Sequence, residues 1–170
     1  FDQKPPTLFS DITGNKEMIV KEFEAFLEEQ LAHKVTPAEQ LAIFIDSHNV
    51  DHVMLLLANN GLSRVPVITK DKIYVGTISM SDIIAYQHEH ELSDRELALK
   101  DISEMTSDRI PTVDEKADLT EIMHKLVDAS FLPVVKENGL FVGIITRKSI
   151  LKALNSLLHD FSNDYSIEKK

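Results

Sequence analysis

The chain has 170 residues, 43% hydrophobic and 27% charged, which is enough apolar material for one core or two small ones and excludes a disordered chain. With 18 Lys and Arg against 28 Asp and Glu the net charge is -10, which repels a polyanionic duplex and argues against nucleic-acid binding. Cys is lacking, so disulfides and thiolate metal sites are excluded, as suits a reducing, cytoplasmic setting, and the longest apolar run, Val53 to Ala58, is far shorter than the roughly 20 residues of a membrane span.

In chain order, residues 1–17 carry Pro5-Pro6 and no sustained period, and read as a cloning-derived or flexible arm ahead of a natural start at Met18. Residues 18–35 predict an amphipathic helix, because Ile19, Val20, Phe23, Phe26, Leu27 and Leu31 fall on one stripe among Glu and Lys. Thr36-Pro37-Ala38-Glu39 has the composition of a helix start, with a hydroxyl cap, Pro in the first turn and Glu three residues after the cap. A first unit then runs over 36–92: a strand Ile43–Ile45, a helix Val50–Asn59, a strand Arg64–Thr69, a turn Lys70-Asp71-Lys72, a strand Ile73–Ser79 and a helix Asp82–Glu89. Ser93-Asp94-Arg95-Glu96 is a capping box that opens a linker helix reaching Glu104. The second unit, with its linker over 93–160, repeats the order: strand Ile110–Val113, helix Asp118–Ala129, strand Phe131–Lys136, turn Glu137-Asn138-Gly139, strand Leu140–Thr146 and helix Lys148–Leu158. Residues 161–170 read as a polar tail that frays from Ser162.

The two units are an internal duplication at a spacing of 67 residues. It pairs Ile43 with Ile110, Asp51 with Asp118, Ser63 with Ser130, Pro66-Val67 with Pro133-Val134, Val75-Gly76 with Val142-Gly143, and Ile78 with Ile145, in one gapless register. Two copies are too few for a solenoid, so the expected fold is α/β (α+β): two β-α-β-β-α motifs packed pseudo-symmetrically, with N-terminal and linker helices added.

The strand-to-helix junctions carry the chemistry. Copy one reads Gly76-Thr77-Ile78-Ser79-Met80-Ser81-Asp82 and copy two Gly143-Ile144-Ile145-Thr146-Arg147-Lys148-Ser149. Each puts a hydroxyl at a helix start, where free N–H donors and the helix dipole favour an anion; the plain alternative is that Ser79 and Thr146 only cap their helices. Asp82 accepts hydrogen bonds, suits ribose hydroxyls and repels phosphate, and its junction brings no Lys or Arg; Arg147-Lys148 does the reverse, Arg64 adds a third cation, and Ser149 replaces the carboxylate. A ligand with two phosphates is expected at the basic junction. His48 and His52, four residues apart, find no third ligand and read as solvated or capping, and His88 and His90 sit at a helix end. The sequence shows no catalytic constellation, so the expectation is a non-enzyme without metal or cofactor.

On the hydrophobic-Pro-Val strand and the Gly-x-x-Ser/Thr-x-x-Asp junction, Thr36 to Leu158 resembles a tandem pair of cystathionine β-synthase (CBS) domains, a Bateman module. The resemblance implies two clefts, each built from both motifs, that hold adenosine-type nucleotides unchanged. Carried over by position, the main cleft joins Gln40, Ala42, Leu62, Ser63, Arg64 and Val65 to Thr146, Arg147, Lys148 and Ser149. The second joins Arg109, Ile110, Thr112, Phe131 and Leu132 to Ser79, Met80 and Asp82. A stand-alone pair with a helical extension and a Thr-Arg-Lys-Ser junction is similar to small cytoplasmic cyclic di-AMP-binding CBS-pair proteins of Gram-positive bacteria. The family often has Lys where Gln40 aligns, a departure that removes a charge. The resemblance implies a signalling homodimer that binds cyclic di-AMP, and a regulated enzyme such as an alarmone synthetase/hydrolase; the net charge and the short apolar runs lead to no expectation of a nucleic-acid or membrane partner. The alternatives are a sensor of AMP, ADP or ATP, and a nucleotide-independent dimeric interaction module working through the helices Met18–His33 and Ser93–Glu104.

Overall fold

A computed structural model of the chain describes residues 20–31 and 34–170; Met18, Ile19 and His33, and the expected arm 1–17, lie outside them. Helix α1 (Lys21–Gln30) buries Phe26 and Leu27, and Leu31 follows them into the core, whereas Val20 of the expected stripe is exposed. Its partner is the far end of the chain. Phe161 lies edge-on to Phe23 at 4.8 Å and to Phe26 at 5.8 Å, and stacks on Tyr165 at 4.4 Å. This packing extends the last helix, α6 (Arg147–Asp164), beyond the expected fraying point at Ser162: burying an aromatic ring returns more than the conformational entropy lost by a few polar residues.

Six strands form two three-stranded sheets. The first has β2 (Phe44–Ile45), β3 (Val65–Ile68) and β4 (Tyr74–Ile78) in that order; the second has β1 (Thr36–Pro37), β6 (Phe141–Thr146) and β5 (Phe131–Val135). Helices α2 (Val50–Asn59) and α3 (Met80–Glu89) cover the first sheet, and α5 (Leu119–Leu126) and α6 the second, giving two core clusters, one around Val53, Val67 and Ile83 and one around Ile122, Leu132 and Ile145. The sheets meet edge to edge on the pseudo-twofold axis. There the Tyr74 N–H donates to the Gly139 carbonyl, the Phe141 N–H donates to the Lys72 carbonyl, both at 2.9 Å, and the rings of Tyr74 and Phe141 stack.

Each unit lends the other a strand. Thr36 pairs antiparallel with Ile144, and Ser107 with Thr77. The crossing strand explains the two junction glycines: a Cβ on Gly76 would lie 2.5 Å from the Ser107 carbonyl oxygen, and one on Gly143 would collide with that of Thr36.

Four sequence expectations change. Thr36-Pro37 is drawn into the crossing strand, so its hydroxyl caps nothing and the expected helix reduces to a 3₁₀ turn, Ala38–Gln40. The strand Ile110–Val113 shrinks to one parallel bridge, Val113 to Val134, because Pro111 has no N–H to offer and the Thr112 carbonyl accepts from Lys125 Nζ at 2.8 Å. The linker helix α4 (Asp94–Ala98) keeps its Ser93/Glu96 box, whose Ser93 N–H holds the Glu96 carboxyl below its ordinary pKa, but it ends early. Asn49 Nδ2 takes the Ala98 carbonyl at 2.6 Å, the Val50 N–H takes that of Lys100, and a 3₁₀ turn Ile102–Met105 follows.

The fourth change concerns the gapless duplication. Val67 faces Gly76 as Val134 faces Gly143, at the expected offset of 67, but Val113 stands where Phe44 stands and the caps Asn49 and Asp118 correspond, an offset of 69, while Ser107 corresponds to Thr36, an offset of 71. The pairs Ile43/Ile110 and Asp51/Asp118 are therefore not structural equivalents. The first slip lies within the helix, since α2 has 10 residues and α5 has 8. Helix α2 exits through Gly61 at φ +60°, a left-handed terminus, whereas α5 has Asp128 at the corresponding position.

Candidate functional site

At both junctions the hydroxyl caps the helix that follows. Ser79 Oγ accepts from the Asp82 N–H at 3.2 Å, and Thr146 Oγ1 accepts from the Ser149 N–H at 3.1 Å. Capping is therefore realised, and it turns the first turn of each helix toward the line where the crossing strand passes.

The first junction is occupied by its own side chains. Asp82 Oδ2 accepts from Arg64 Nη1 at 2.8 Å, from the Ser79 N–H at 3.0 Å and from Ser79 Oγ at 2.9 Å, and Asp82 Oδ1 accepts from Arg109 Nη2 at 3.1 Å. Arg64 also donates to Thr77 Oγ1 at 2.9 Å and to Ser79 Oγ at 3.3 Å. The junction segment itself brings no cation, but two arginines reach Asp82: Arg109, carried in by the crossing segment and expected in this cleft, and Arg64 from its own unit, which was expected in the other cleft. The Asp82 side chain is 6% exposed and Arg64 23%, whereas Arg109 is 78% exposed, so the inner pair is locked and the outer one is loose.

Among the described residues, the second junction has no carboxylate and its cations form no ion pair. A cavity of about 240 Å³ between α1 and α6 is lined by Gln30, Lys34, Ser149, Lys152 and Ser156 among others. A shallower recess of about 830 Å³ over α6 is lined by Ser130, Arg147, Lys148, Lys152 and Asn155 among others. Among the described residues that line the two, four are basic and none is acidic. Together with the N-terminus of an 18-residue helix, this is a surface that favours an anion with more than one charge.

Strand register decides which expected residues meet. Val65 pairs with Ile78 and Phe131 with Thr146, so each Pro-Val strand ends beside the junction of its own unit. Arg64 therefore sits at Asp82 and not beside Arg147, and Phe131 sits beside Thr146 and not beside Ser79. The side chains of Val65 and Leu132 are in the two cores, and Leu62 and Ile110 pack against them. Ser63 is exposed, and Thr112 is engaged through its carbonyl. Arg109 reaches Asp82 as expected, and Met80 opens α3 beside it. Gln40 and Ala42 are exposed and lie past β1 on the side away from Thr146: β1 runs antiparallel to β6, so it is the chain before Thr36 that approaches the junction. Lys34, which the sequence reading passed over, takes the place expected of Gln40. Its signal was its position two residues ahead of the crossing strand, and that is visible only once the pairing is known.

Elsewhere, the Tyr74 hydroxyl is buried without a hydrogen-bond partner, and burial pushes its pKa up to about 12. The rings of His48 and His52 lie perpendicular to each other at 6.0 Å, and among the described residues no group of three metal-ligating side chains is assembled. No helix of the described residues is long and apolar enough to cross a membrane.

Comparison with known proteins gives a consistent family. The model for the CBS domain matches residues 39–89 and 99–156. The crystal structure of CbpB from Streptococcus agalactiae is 60% identical and superposes with a TM-score of 0.88, covering 92% of this chain and 99% of that one. A crystal structure of CbpB in complex with c-di-AMP is 63% identical with a TM-score of 0.78, covering 85% of this chain and 97% of that one. Uncharacterized protein MJ1225 of Methanocaldococcus jannaschii is 32% identical over 105 residues, 56% of this chain; the match spans 37% of that relative's length.

Proposed function

Since the chain belongs to the CBS domain family and carries the motif twice, we propose that it is a non-catalytic nucleotide sensor that binds cyclic di-AMP at the second junction and passes its occupancy to a partner protein. The observation that carries this reading is the charge difference between the junctions. In the first, Arg64 and Arg109 are already held by Asp82; in the second, Lys34, Arg147, Lys148 and Lys152 line two adjoining recesses with no acidic side chain among the described lining. Two bridging phosphates gain charge-assisted hydrogen bonds there, each worth roughly 1.5 to 3 kcal/mol, without first displacing an ion pair. The complex of CbpB with c-di-AMP supports the ligand class. Ser149 lines the cavity together with Lys34, which supplies the charge that Gln40 lacks.

The proposal includes a cytoplasmic homodimer. Ile84 on α3 and Leu151 on α6 are equivalent positions, both more than half exposed, and with Leu55 and Val127 they make apolar patches that a second copy would cover. The regulated partner, such as an alarmone synthetase/hydrolase, stands on the family resemblance.

Titration calorimetry tests the reading. Cyclic di-AMP should bind, Arg147→Ala should weaken it about 10- to 150-fold, and Asp82→Ala, in a folded protein, should leave it nearly unchanged. No heat with either cyclic di-AMP or AMP would remove the idea. Tight AMP binding with silent cyclic di-AMP would move the site to Asp82.

A further inference from the structure

The two units solve one local problem in different ways. The carbonyls that end a helix need donors, and α2 finds one in the side chain of Asn60, whose Nδ2 donates to the Leu56 carbonyl at 2.9 Å, before the chain turns away through Gly61 at φ +60°. Helix α5 has neither. Val127 and Asp128 stand where α2 has Asn60 and Gly61, and the donors come from Arg147: Nε donates to the Leu126 carbonyl at 2.9 Å and Nη2 to the Val127 carbonyl at 3.2 Å. At the corresponding position of the first unit stands Met80, which can donate nothing. Arg147 is also the first residue of α6, at the junction where the anion is proposed to bind.

We propose that the end of α5 and the anion at the second junction compete for the Arg147 guanidinium, so that ligand binding uncaps α5. This rests on the nucleotide reading above. A guanidinium holding two carbonyls with Nε and one terminal nitrogen cannot present that same edge to a phosphate, and a phosphate is the stronger acceptor. Arg147 also lines an apolar pit of about 320 Å³ formed by Met123, Leu126, Val127, Ile150, Leu151 and Leu154, where it is the one charged residue among the described lining. Its departure loosens the last turn of α5 and leaves the pit wholly apolar, so occupancy of the junction is written onto the α5–α6 surface as well as into the cleft. The differential contact is named on both sides, as an account of coupling requires: two carbonyls in the free state, a phosphate in the bound state.

Amide hydrogen exchange on the full chain, with calorimetry in parallel, tests this. In the free protein, Arg147→Ala should speed exchange of the amides over 124–130 about tenfold, the effect of losing one charge-assisted hydrogen bond, while the amides of α2 stay unchanged. In the wild type, saturating cyclic di-AMP should speed exchange over the same segment while slowing it at the start of α6. In Arg147→Ala, at concentrations raised to saturation, the ligand should produce no further change over 124–130. Arg147→Lys, which keeps the charge but not the fork, should behave like Arg147→Ala in the free state, so the test survives poor folding of either variant. Binding without faster exchange over 124–130, or an unchanged rate in both free variants, overturns the coupling alone. No binding of cyclic di-AMP overturns it together with the nucleotide reading.

Discussion

Replacing Asp82 by Ala tests whether this carboxylate is a structural anchor. Its side chain is 6% exposed and holds Arg64, itself 23% exposed, at 2.8 Å, together with the Ser79 N–H. Breaking a fully buried pair costs about 3–5 kcal/mol, but Arg64 can rehydrate in part and keeps Thr77 and Ser79 as acceptors, which lowers the expectation to roughly 2–3 kcal/mol. Loss of the reciprocal half of the capping box adds about 0.5–1 kcal/mol. A total near 3 kcal/mol corresponds to a fall in Tm of about 6–12 °C for a chain of this size. Arg109, 78% exposed, should cost no more than about 1 kcal/mol when replaced by Ala. Urea and thermal unfolding of Asp82→Ala, Arg64→Ala, Arg109→Ala and the Arg64/Asp82 double variant measure these values, with a coupling of roughly 1.5–3 kcal/mol expected for the inner pair. If Arg109→Ala costs as much as Arg64→Ala, or Asp82→Ala costs under about 1 kcal/mol, the locked-junction account is wrong, and with it the argument that steers phosphates to the other side.

The crossing strands give a second expectation: Gly143→Ala should cost about 1–3 kcal/mol in urea unfolding, because its Cβ meets the backbone carbonyl of Thr36 and the strand must lift, and a value near zero would mean β1 is not held there. Gly61→Ala meets nothing within 4 Å, so its cost should be limited to the left-handed backbone, about 1–2 kcal/mol by the same assay. Tyr74→Phe should be neutral or stabilising by up to about 1 kcal/mol, since the hydroxyl it removes is buried without a partner. The Tyr74 pKa is raised from about 10 to about 12, so the folded state holds this proton more tightly than the unfolded chain: its contribution is complete below pH 10 and is lost as pH rises from about 10 to 12. A pH series of Tm should show that loss in the wild type and a smaller one in Tyr74→Phe; identical curves would contradict it. Lys34→Ala should weaken cyclic di-AMP at least threefold in calorimetry while Gln40→Ala leaves it unchanged, and the reverse order would restore the sequence-based alignment.

Much of the site could be read without coordinates wherever the chemistry is local. The helix caps Ser79, Ser93 and Thr146, the left-handed exit at Gly61, the turn at Gly139 and the apolar faces of α2 and α5 all follow from interactions within a few residues, which a sequence displays directly. The duplication, and with it two similar units, was equally legible. What residues meet across the chain was not, because strand pairing is a contact between distant segments and a slip of two residues leaves the inward-outward alternation intact, so no local signal marks it. The antiparallel pairing of the crossing strand puts Lys34 and not Gln40 beside the second junction, the β3–β4 pairing of the first unit brings Arg64 to Asp82, and Arg147 stands at the end of a helix that has Val127 and Asp128 where the other has Asn60 and Gly61. Local composition thus determined that there are two capped junctions of unlike charge; only tertiary pairing decided which side chains neutralise one of them and which leave the other open to an anion.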